Sequence, residues 1–361
     1  MTTERDTCFM QQALTLAESA RFVTHPNPHV GCVLVKDGQV VGQGATGRAG
    51  EGHAEVHALR EAGEQALGAT AYVTLEPCSH HGRTPPCAQA LVDARVKRVV
   101  AATLDPNPLV AGKGMRMLAE AGVKTAHGLC EQESRWLLRG FMSRMERGRP
   151  WVRAKVATSA DGRTAMANGE SQWITGAAAR RDGHFCRAES DCVLTGIGTV
   201  LEDNPSLNVR LMPSELGIQG EVRQPMRALM DTHARLQEGC RWLSAPGRKR
   251  VYSSVEKHWL GVDTVCHKGA ESIDPKRVLQ DLAEQEINLV HLEAGAELLG
   301  SFLKEELVDE LVLYMAPMML GCEGRPMAVI RGLVHISDAL RWRFGDVKTV
   351  GDDLRVVLLR A

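Results

Sequence analysis

His53-Ala54-Glu55-Val56-His57, then Ala71-Tyr72-Val73-Thr74-Leu75-Glu76-Pro77-Cys78, then Pro86-Cys87, is the part of the chain that decides its fold. His53 opens a helical pattern that runs to Ala62. Residues 71–75 form a short apolar run of strand character, which delivers Glu76-Pro77-Cys78 at its end. Cys87 opens a second helical pattern, to Asp93. One histidine and two cysteines therefore fall at a strand end and two helix starts, where helix dipoles favour thiolate over thiol. Strands alternating with helices imply an α/β sheet covered on both faces, with its chemistry at strand ends.

One imidazole and two thiolates are the protein share of a zinc site with an open fourth position. Zinc lowers the pKa of a bound water to about 7, and Glu55, which need not bind the metal, can move protons. The order H-x-E…P-C…C is that of nucleobase deaminases, which usually close with C-x-x-C. Here the residues from Ser79 to Pro86 separate the cysteines. A structural zinc site normally has four protein ligands, and His80 and His81 are the only nearby candidates for a fourth. A metalloprotease helix needs glutamate directly after the first histidine. His57 reads as a packing residue or one that supports the ligands.

Composition agrees with a soluble enzyme. With 361 residues, two domains or one large one are expected. Lys+Arg is 43 and Asp+Glu 44, and aromatics are 4%, which argues against a nucleic-acid-editing deaminase with a basic, aromatic groove. No apolar run approaches a membrane span. The polar start, Met1-Thr2-Thr3-Glu4-Arg5-Asp6, is unlike a secretory signal, and ten scattered cysteines suit a reducing cytoplasm.

Arg147-Gly148-Arg149-Pro150 divides the chain into expected domains 1–147 and 150–361. Before it, helices are expected at 6–20, 53–62, 87–93, 113–121 and 131–145. Strands are expected at 30–35, 39–44, 71–75 and 98–102, the first two joined at Asp37-Gly38. After it, strands are expected at 152–158, 191–195, 225–231, 250–253, 263–265, 288–293, 310–315 and 354–359. Helices are expected at 177–188, from Asp274 with Pro275 in the first turn, and from Ala294-Gly295-Ala296 to Lys304. Stretches 210–224 and 320–327 read as loops. Gly196-Ile197-Gly198-Thr199 and Glu293-Ala294-Gly295-Ala296 are either tight turns or places where backbone amides approach phosphate. Arg187 and Arg210 are either phosphate ligands or solvated surface charges. Lys155 is a buried functional cation or an edge-strand lysine.

Several further motifs resemble one family. In the first half they are His25-Pro26-Asn27-Pro28, Gly31-Cys32, the run from Thr74 to Cys87, and Asp105-Pro106-Asn107-Pro108. In the second half they are Ser159-Ala160-Asp161-Gly162-Arg163, the run from Gly169 to Thr175, the run from Gly198 to Pro205, and Glu293-Ala294-Gly295. Together they resemble the bifunctional riboflavin-biosynthesis family that joins a pyrimidine deaminase to a reductase, and the long gap between the cysteines is that family's own form.

The resemblance implies a cytidine-deaminase-like three-layer domain followed by a dihydrofolate-reductase-like α/β domain. It implies zinc-dependent loss of ammonia from a diaminopyrimidine ribosylamine 5′-phosphate. NADPH then reduces the ribosyl group, giving 5-amino-6-(5-phosphoribitylamino)uracil. It assigns zinc to His53, Cys78 and Cys87, proton transfer to Glu55, and deaminase-substrate contacts to Arg83 and Asn107. It assigns the cofactor to Ala157, Trp173, Thr199, Asp203 and the run Gly295, Ala296, Glu297, Leu298, Leu299, Gly300 and Ser301. It assigns the sugar phosphate to Ser171, Arg187, Leu207, Arg210 and Glu293, with Lys155 beside them. Thr46 stands where members often have a substrate-contacting histidine, so weaker phosphate binding is expected there. The expected partners are a small phosphorylated pyrimidine and a second copy of the chain, most simply as a dimer, with no nucleic acid and no membrane. The alternative reading is a deaminase whose second half only binds or oligomerises.

Overall fold

The computed structural model describes residues 3–79, 86–107 and 111–360. Arg83, His80 and His81 lie outside the described residues. The chain forms two compact units, Met1–Gly148 and Arg149–Ala361.

The first unit runs α1 (Glu4–Ser19), β1 (Gly31–Lys36), β2 (Gln39–Ala45), α2 (Ala54–Ala62), β3 (Thr70–Leu75), α3 (Cys87–Asp93), β4 (Arg98–Thr103), α4 (Lys113–Glu120), β5 (Lys124–His127), α5 (Glu131–Leu137) and α6 (Arg139–Arg147). The sheet order is β2-β1-β3-β4-β5. β1 is antiparallel to both its neighbours, and β3, β4 and β5 are parallel. Asp37 and Gly38 both have positive φ, 50° and 79°, as a two-residue hairpin turn with right-handed strand twist requires. Met10 and Ala13 of α1 pack on Val33, Tyr72 and Val100. Ala58, Leu91 and Leu118, from α2, α3 and α4, join Leu34, Val73 and Val99 in the core on the other face. A Cβ at Gly44 would lie 2.5 Å from the Ala54 carbonyl oxygen, so the start of α2 rests directly on β2.

Three first-unit expectations need correction. α1 starts two residues early, because Thr3 and Asp6 form a reciprocal capping box. The expected closing helix breaks at Leu138 (φ −92°, ψ 14°) into α5 and α6. β5, Lys-Thr-Ala-His, lacks the apolar character that marks a strand in sequence.

The second unit runs β6 (Trp151–Ser159), β7 (Arg163–Ala165), α7 (Ala177–Glu189), β8 (Cys192–Gly196), α8 (Ile197–Asp203), α9 (Pro213–Leu216), β9 (Met226–Met230), α10 (Arg241–Ser244), β10 (Lys249–Ser253) and β11 (Asp263–Cys266). It continues with α11 (Pro275–Glu284), β12 (Leu289–Leu292), α12 (Ala296–Lys304), β13 (Glu310–Ala316), β14 (Arg325–Pro326), β15 (Trp342–Val350) and β16 (Asp353–Arg360). Its main sheet has the order β11-β10-β9-β8-β12-β6-β13-β16-β15. The strands are parallel from β11 to β13, and β16 and β15 are added antiparallel. Val152, Ala154 and Val156 of β6 enter one core with Leu282 of α11 and Phe302 of α12. Strand alternation therefore turns Arg153, Lys155 and Ala157 to the opposite face. On further strands, Ala179 of α7 packs with Val312 and Tyr314, and Val200 of α8 with Val193 and Leu229. Three expectations change here: Gly196-Ile197-Gly198-Thr199 opens helix α8, the stretches read as loops hold α9 and β14, and the long edge strand β15 was not foreseen. β15 is exposed from Arg343 to Thr349, so no buried face imprints an alternating pattern on it.

Candidate active sites

His53 is the N-cap of α2, in extended conformation (φ −73°, ψ 166°). Its Nδ1 lies 3.3 Å from Cys87 Sγ and 3.7 Å from Cys78 Sγ. The three ligand atoms all fall within 4.8 Å of one another. The Cys87 backbone N–H, at the start of α3, donates to Cys78 Sγ at 3.3 Å. Bonds from Cys87 and then His53 hold the Cys78 thiol down to about 4, against the effect of burial. Cys87 is pushed up, first by Cys78 and then by burial. One sulfur thus ionises at the other's expense, and a divalent cation between them would let both be thiolates. The donor set fits zinc. Glu55, in the first turn of α2, is 3% exposed. Burial first, and the neighbouring Cys78 charge, raise its carboxyl to about 7.

Around this site, the Asn107 N–H donates to Asp105 Oδ1 at 2.8 Å. Thr46 is 6% exposed, and its hydroxyl accepts from Val30 N at 3.1 Å and lies 3.4 Å from Val30 O. It serves the backbone of the β1 entry. Glu76, which the sequence reading passed over, is 3% exposed and accepts backbone N–H bonds from Asp105, Gly112, Gly114 and Met115. The only signal in sequence was its place between an apolar strand and Pro77-Cys78.

In the second unit, α8 and α12 open at Gly196 and Gly295, just beyond the neighbouring parallel strands β8 and β12. A Cβ at Gly295 would lie 3.9 Å from Thr199 Oγ1, so the two helix starts adjoin. Asp203 Oδ1 is 3.5 Å from Ser171 Oγ. Burial first, and then Glu202, raise the Asp203 carboxyl. Trp173 is 65% exposed, with the Arg180 guanidinium 4.4 Å from its ring centroid. Ala157 is half-buried opposite Tyr314. The run 295–301 divides by face. Leu299 is core, and a Cβ at Gly300 would lie 2.0 Å from the Val329 carbonyl oxygen. The Ala296 carbonyl accepts from Val329 N, and Ser301 Oγ bonds to the Leu298 carbonyl. Glu297 is exposed and pairs with Arg331. Adjoining amides and small residues at parallel-strand ends suit a dinucleotide phosphate.

A polar cluster completes this second site. Arg187 and Glu293 form a two-pronged ion pair, one arm measuring 2.9 Å, and Arg187 also donates to the Asn208 carbonyl at 3.2 Å. Burial opposes both charges, but each holds the other ionised: Arg187 is raised, and Glu293 lies well below the usual carboxylate range. Burial lowers Lys155; Glu293 opposes that shift and Arg187 adds to it. His291, fully buried, lies 3.4 Å from Glu293. Arg210 is exposed and donates to His184 at 3.2 Å. Leu207 is 4% exposed in the apolar cluster under α8, so only its backbone can face a ligand.

Residues 150–356 match the RibD C-terminal domain, and residues 3–103 match the cytidine and deoxycytidylate deaminase zinc-binding region. The chain is 47% identical to riboflavin biosynthesis protein RibD of Escherichia coli K12, over 99% of this chain and 100% of that protein. The chain belongs to the RibD family. Acinetobacter baumannii RibD superposes with a TM-score of 0.92 at 46% identity, over 99% of each chain. The Thermotoga maritima diaminohydroxyphosphoribosylaminopyrimidine deaminase/5-amino-6-(5-phosphoribosylamino)uracil reductase gives 0.88 at 30% identity, also over 99% of each. As a RibD family member, the chain has a cytidine-deaminase-like domain followed by a dihydrofolate-reductase-like reductase domain. Among the described residues, no helix is long and apolar enough to cross a membrane.

Proposed function

We propose that residues 1–147 release ammonia from a diaminopyrimidine ribosylamine 5′-phosphate and that residues 150–361 reduce the product's ribosyl group to ribityl. The chain is a bifunctional enzyme of riboflavin biosynthesis, a zinc-dependent deaminase and an NADPH-dependent reductase. The observation that carries the first half is the convergence of His53, Cys78 and Cys87 beside a buried carboxyl. Those three residues would hold zinc, which would supply the Lewis acidity that activates water for attack on the amino-bearing carbon. Glu55, poised near neutrality, carries protons from the attacking water to the leaving ammonia. Arg83 and Asn107 orient the pyrimidine.

In the second half, bound NADPH supplies the hydride. Ala157, Trp173, Thr199, Asp203 and the start of α12 hold it. Ser171, Arg210 and the Leu207 backbone face the sugar phosphate, with the Arg187–Glu293 pair and Lys155 beneath. The test is an assay of the full chain with the diaminopyrimidine substrate, with and without NADPH. Ammonia should appear in both, and NADPH should be consumed only as deaminated product forms. Cys78→Ser and Cys87→Ser should each lose zinc and ammonia release together. Normal zinc content and deamination in both variants would remove the assignment.

A second copy of the chain is the proposed partner. β15 exposes Phe344 (73%) and Val347 (51%), and the segment before it exposes Val334 and Ile336. An exposed apolar edge strand invites pairing, and a two-fold pairing of identical edges closes it. Sedimentation should give a dimer, and Phe344→Lys a monomer. A reducing cytoplasm suits the thiolate ligands.

A further inference from the structure

Glu76 sits between the strand end of β3 and the zinc-ligand segment, yet nothing in the chemistry above uses it. Its carboxylate is buried at 3% exposure, and among the described residues no basic side chain pairs with it. Four backbone N–H groups compensate its charge. Oε2 accepts from Asp105 (3.2 Å) and Gly112 (2.9 Å), and Oε1 accepts from Gly114 (2.9 Å) and Met115 (3.2 Å). Asp105 leads to Asn107, whose N–H it caps. Gly112 to Met115 is the start of α4, where a bound anion also meets the helix dipole. The close contact repeats one residue on: a Cβ at Gly114 would lie 1.9 Å from the Pro77 carbonyl oxygen. Glu76 itself is anchored, its N–H donating to the Thr103 carbonyl at 3.0 Å. One rigid carboxylate therefore ties the segment carrying Asn107, and the first turn of α4, to the residues that deliver Cys78.

We infer that Glu76 is a positioning residue for substrate binding in the deaminase: it sets where Asn107 stands relative to Cys78. This inference rests on the assignment of Asn107 to the substrate. Its chemistry is charge-assisted, because a carboxylate accepts at both oxygens, whereas an amide would turn a donor toward two of the four N–H groups.

The test uses full-length Glu76→Gln and, as the charge-preserving comparison, Glu76→Asp. Bound zinc per chain, kcat and KM for ammonia release, and NADPH oxidation with already deaminated substrate are measured. Hydrogen exchange of the amides at 105–107 and 111–115 is followed in parallel. The expected result for Glu76→Gln is full zinc, a kcat within about threefold, a KM raised about tenfold or more, and faster exchange at those amides. Glu76→Asp should recover part of the KM. Zinc loss would overturn the inference by making Glu76 a support for the ligands. A fall in kcat at unchanged KM would overturn it by giving Glu76 a part in the chemistry. Unchanged KM and exchange would do so directly. If Glu76→Gln fails to fold, shown by loss of the first unit's unfolding transition in calorimetry, Glu76→Asp carries the same comparison. Failure of the underlying assignment would look different: Asn107→Ala would then leave the KM of otherwise wild-type protein unchanged.

Discussion

Glu55 and Arg210 are the residues at which the two proposed reactions can be cut most cleanly. Glu55→Gln keeps the volume but cannot take up a proton. Zinc should stay bound while ammonia release falls about 10²–10⁴-fold, measured by metal analysis and steady-state assay. A matching loss of zinc would make Glu55 a ligand. Arg210 is exposed and donates to His184. Arg210→Ala should raise the KM for the deaminated sugar phosphate about tenfold or more and leave the unfolding temperature alone. Arg187→Ala should behave differently, because it strands the Glu293 carboxylate. Removing one partner of a buried ion pair costs up to about 3–5 kcal/mol, part of which His291 offsets at 3.4 Å from Glu293, so reduction and stability should fall together in calorimetry and assay. The zinc residues were legible in sequence because His-x-Glu and the two Pro-Cys steps are local patterns with a chemical reason. The Arg187–Glu293 bond was not: the resemblance placed both at the sugar phosphate, but no local pattern pairs residues 106 apart. Glu76 escaped because its partners are backbone groups, which leave no mark in side-chain identity.

Among the elements, α12 tests how closely the cofactor segment is packed. Gly300→Ala would press a methyl group onto the Val329 carbonyl, and overpacking of this kind costs about 1–3 kcal/mol. The variant should melt earlier and bind NADPH more weakly, read by calorimetry and cofactor titration. α1 gives a pH prediction. Asp6 is 3% exposed and accepts from Tyr72 and Arg98. Burial would raise its pKa, but those bonds hold it at about 2, below the ordinary 3.8. A depressed carboxylate contributes stability above its unfolded pKa and loses it as pH falls through the folded value. The contribution, at most roughly 2 kcal/mol, should therefore vanish between about pH 4 and pH 2. Urea unfolding of Asp6→Asn and wild type should differ at pH 6 and converge near pH 2. Most elements could be read from apolar periodicity. Those that could not, such as β5 and β15, lack a buried face, and the break at Leu138 lies beside a single Gly140, which a helical pattern tolerates without ending.

At the scale of the molecule, each unit has its own sheet and core, and the proposed residues of one reaction all precede Arg147 while those of the other follow Pro150. The Glu55→Gln protein should still oxidise NADPH when given deaminated substrate, and Arg210→Ala should still release ammonia. Mixed together, the two variants should restore the full conversion from the first substrate to the ribityl product, followed by chromatography. No recovery would mean that the intermediate never leaves the chain on which it forms. Trp173 has a practical consequence of another kind. It is two-thirds exposed, whereas Trp242 and Trp259 are buried. Its indole stands beside the proposed cofactor site, and reduced nicotinamide absorbs light in the region where indole emits. The enzyme thus carries its own optical gauge: a falling tryptophan signal on titration with NADPH, lost in Trp173→Phe, would measure cofactor occupancy without any added label.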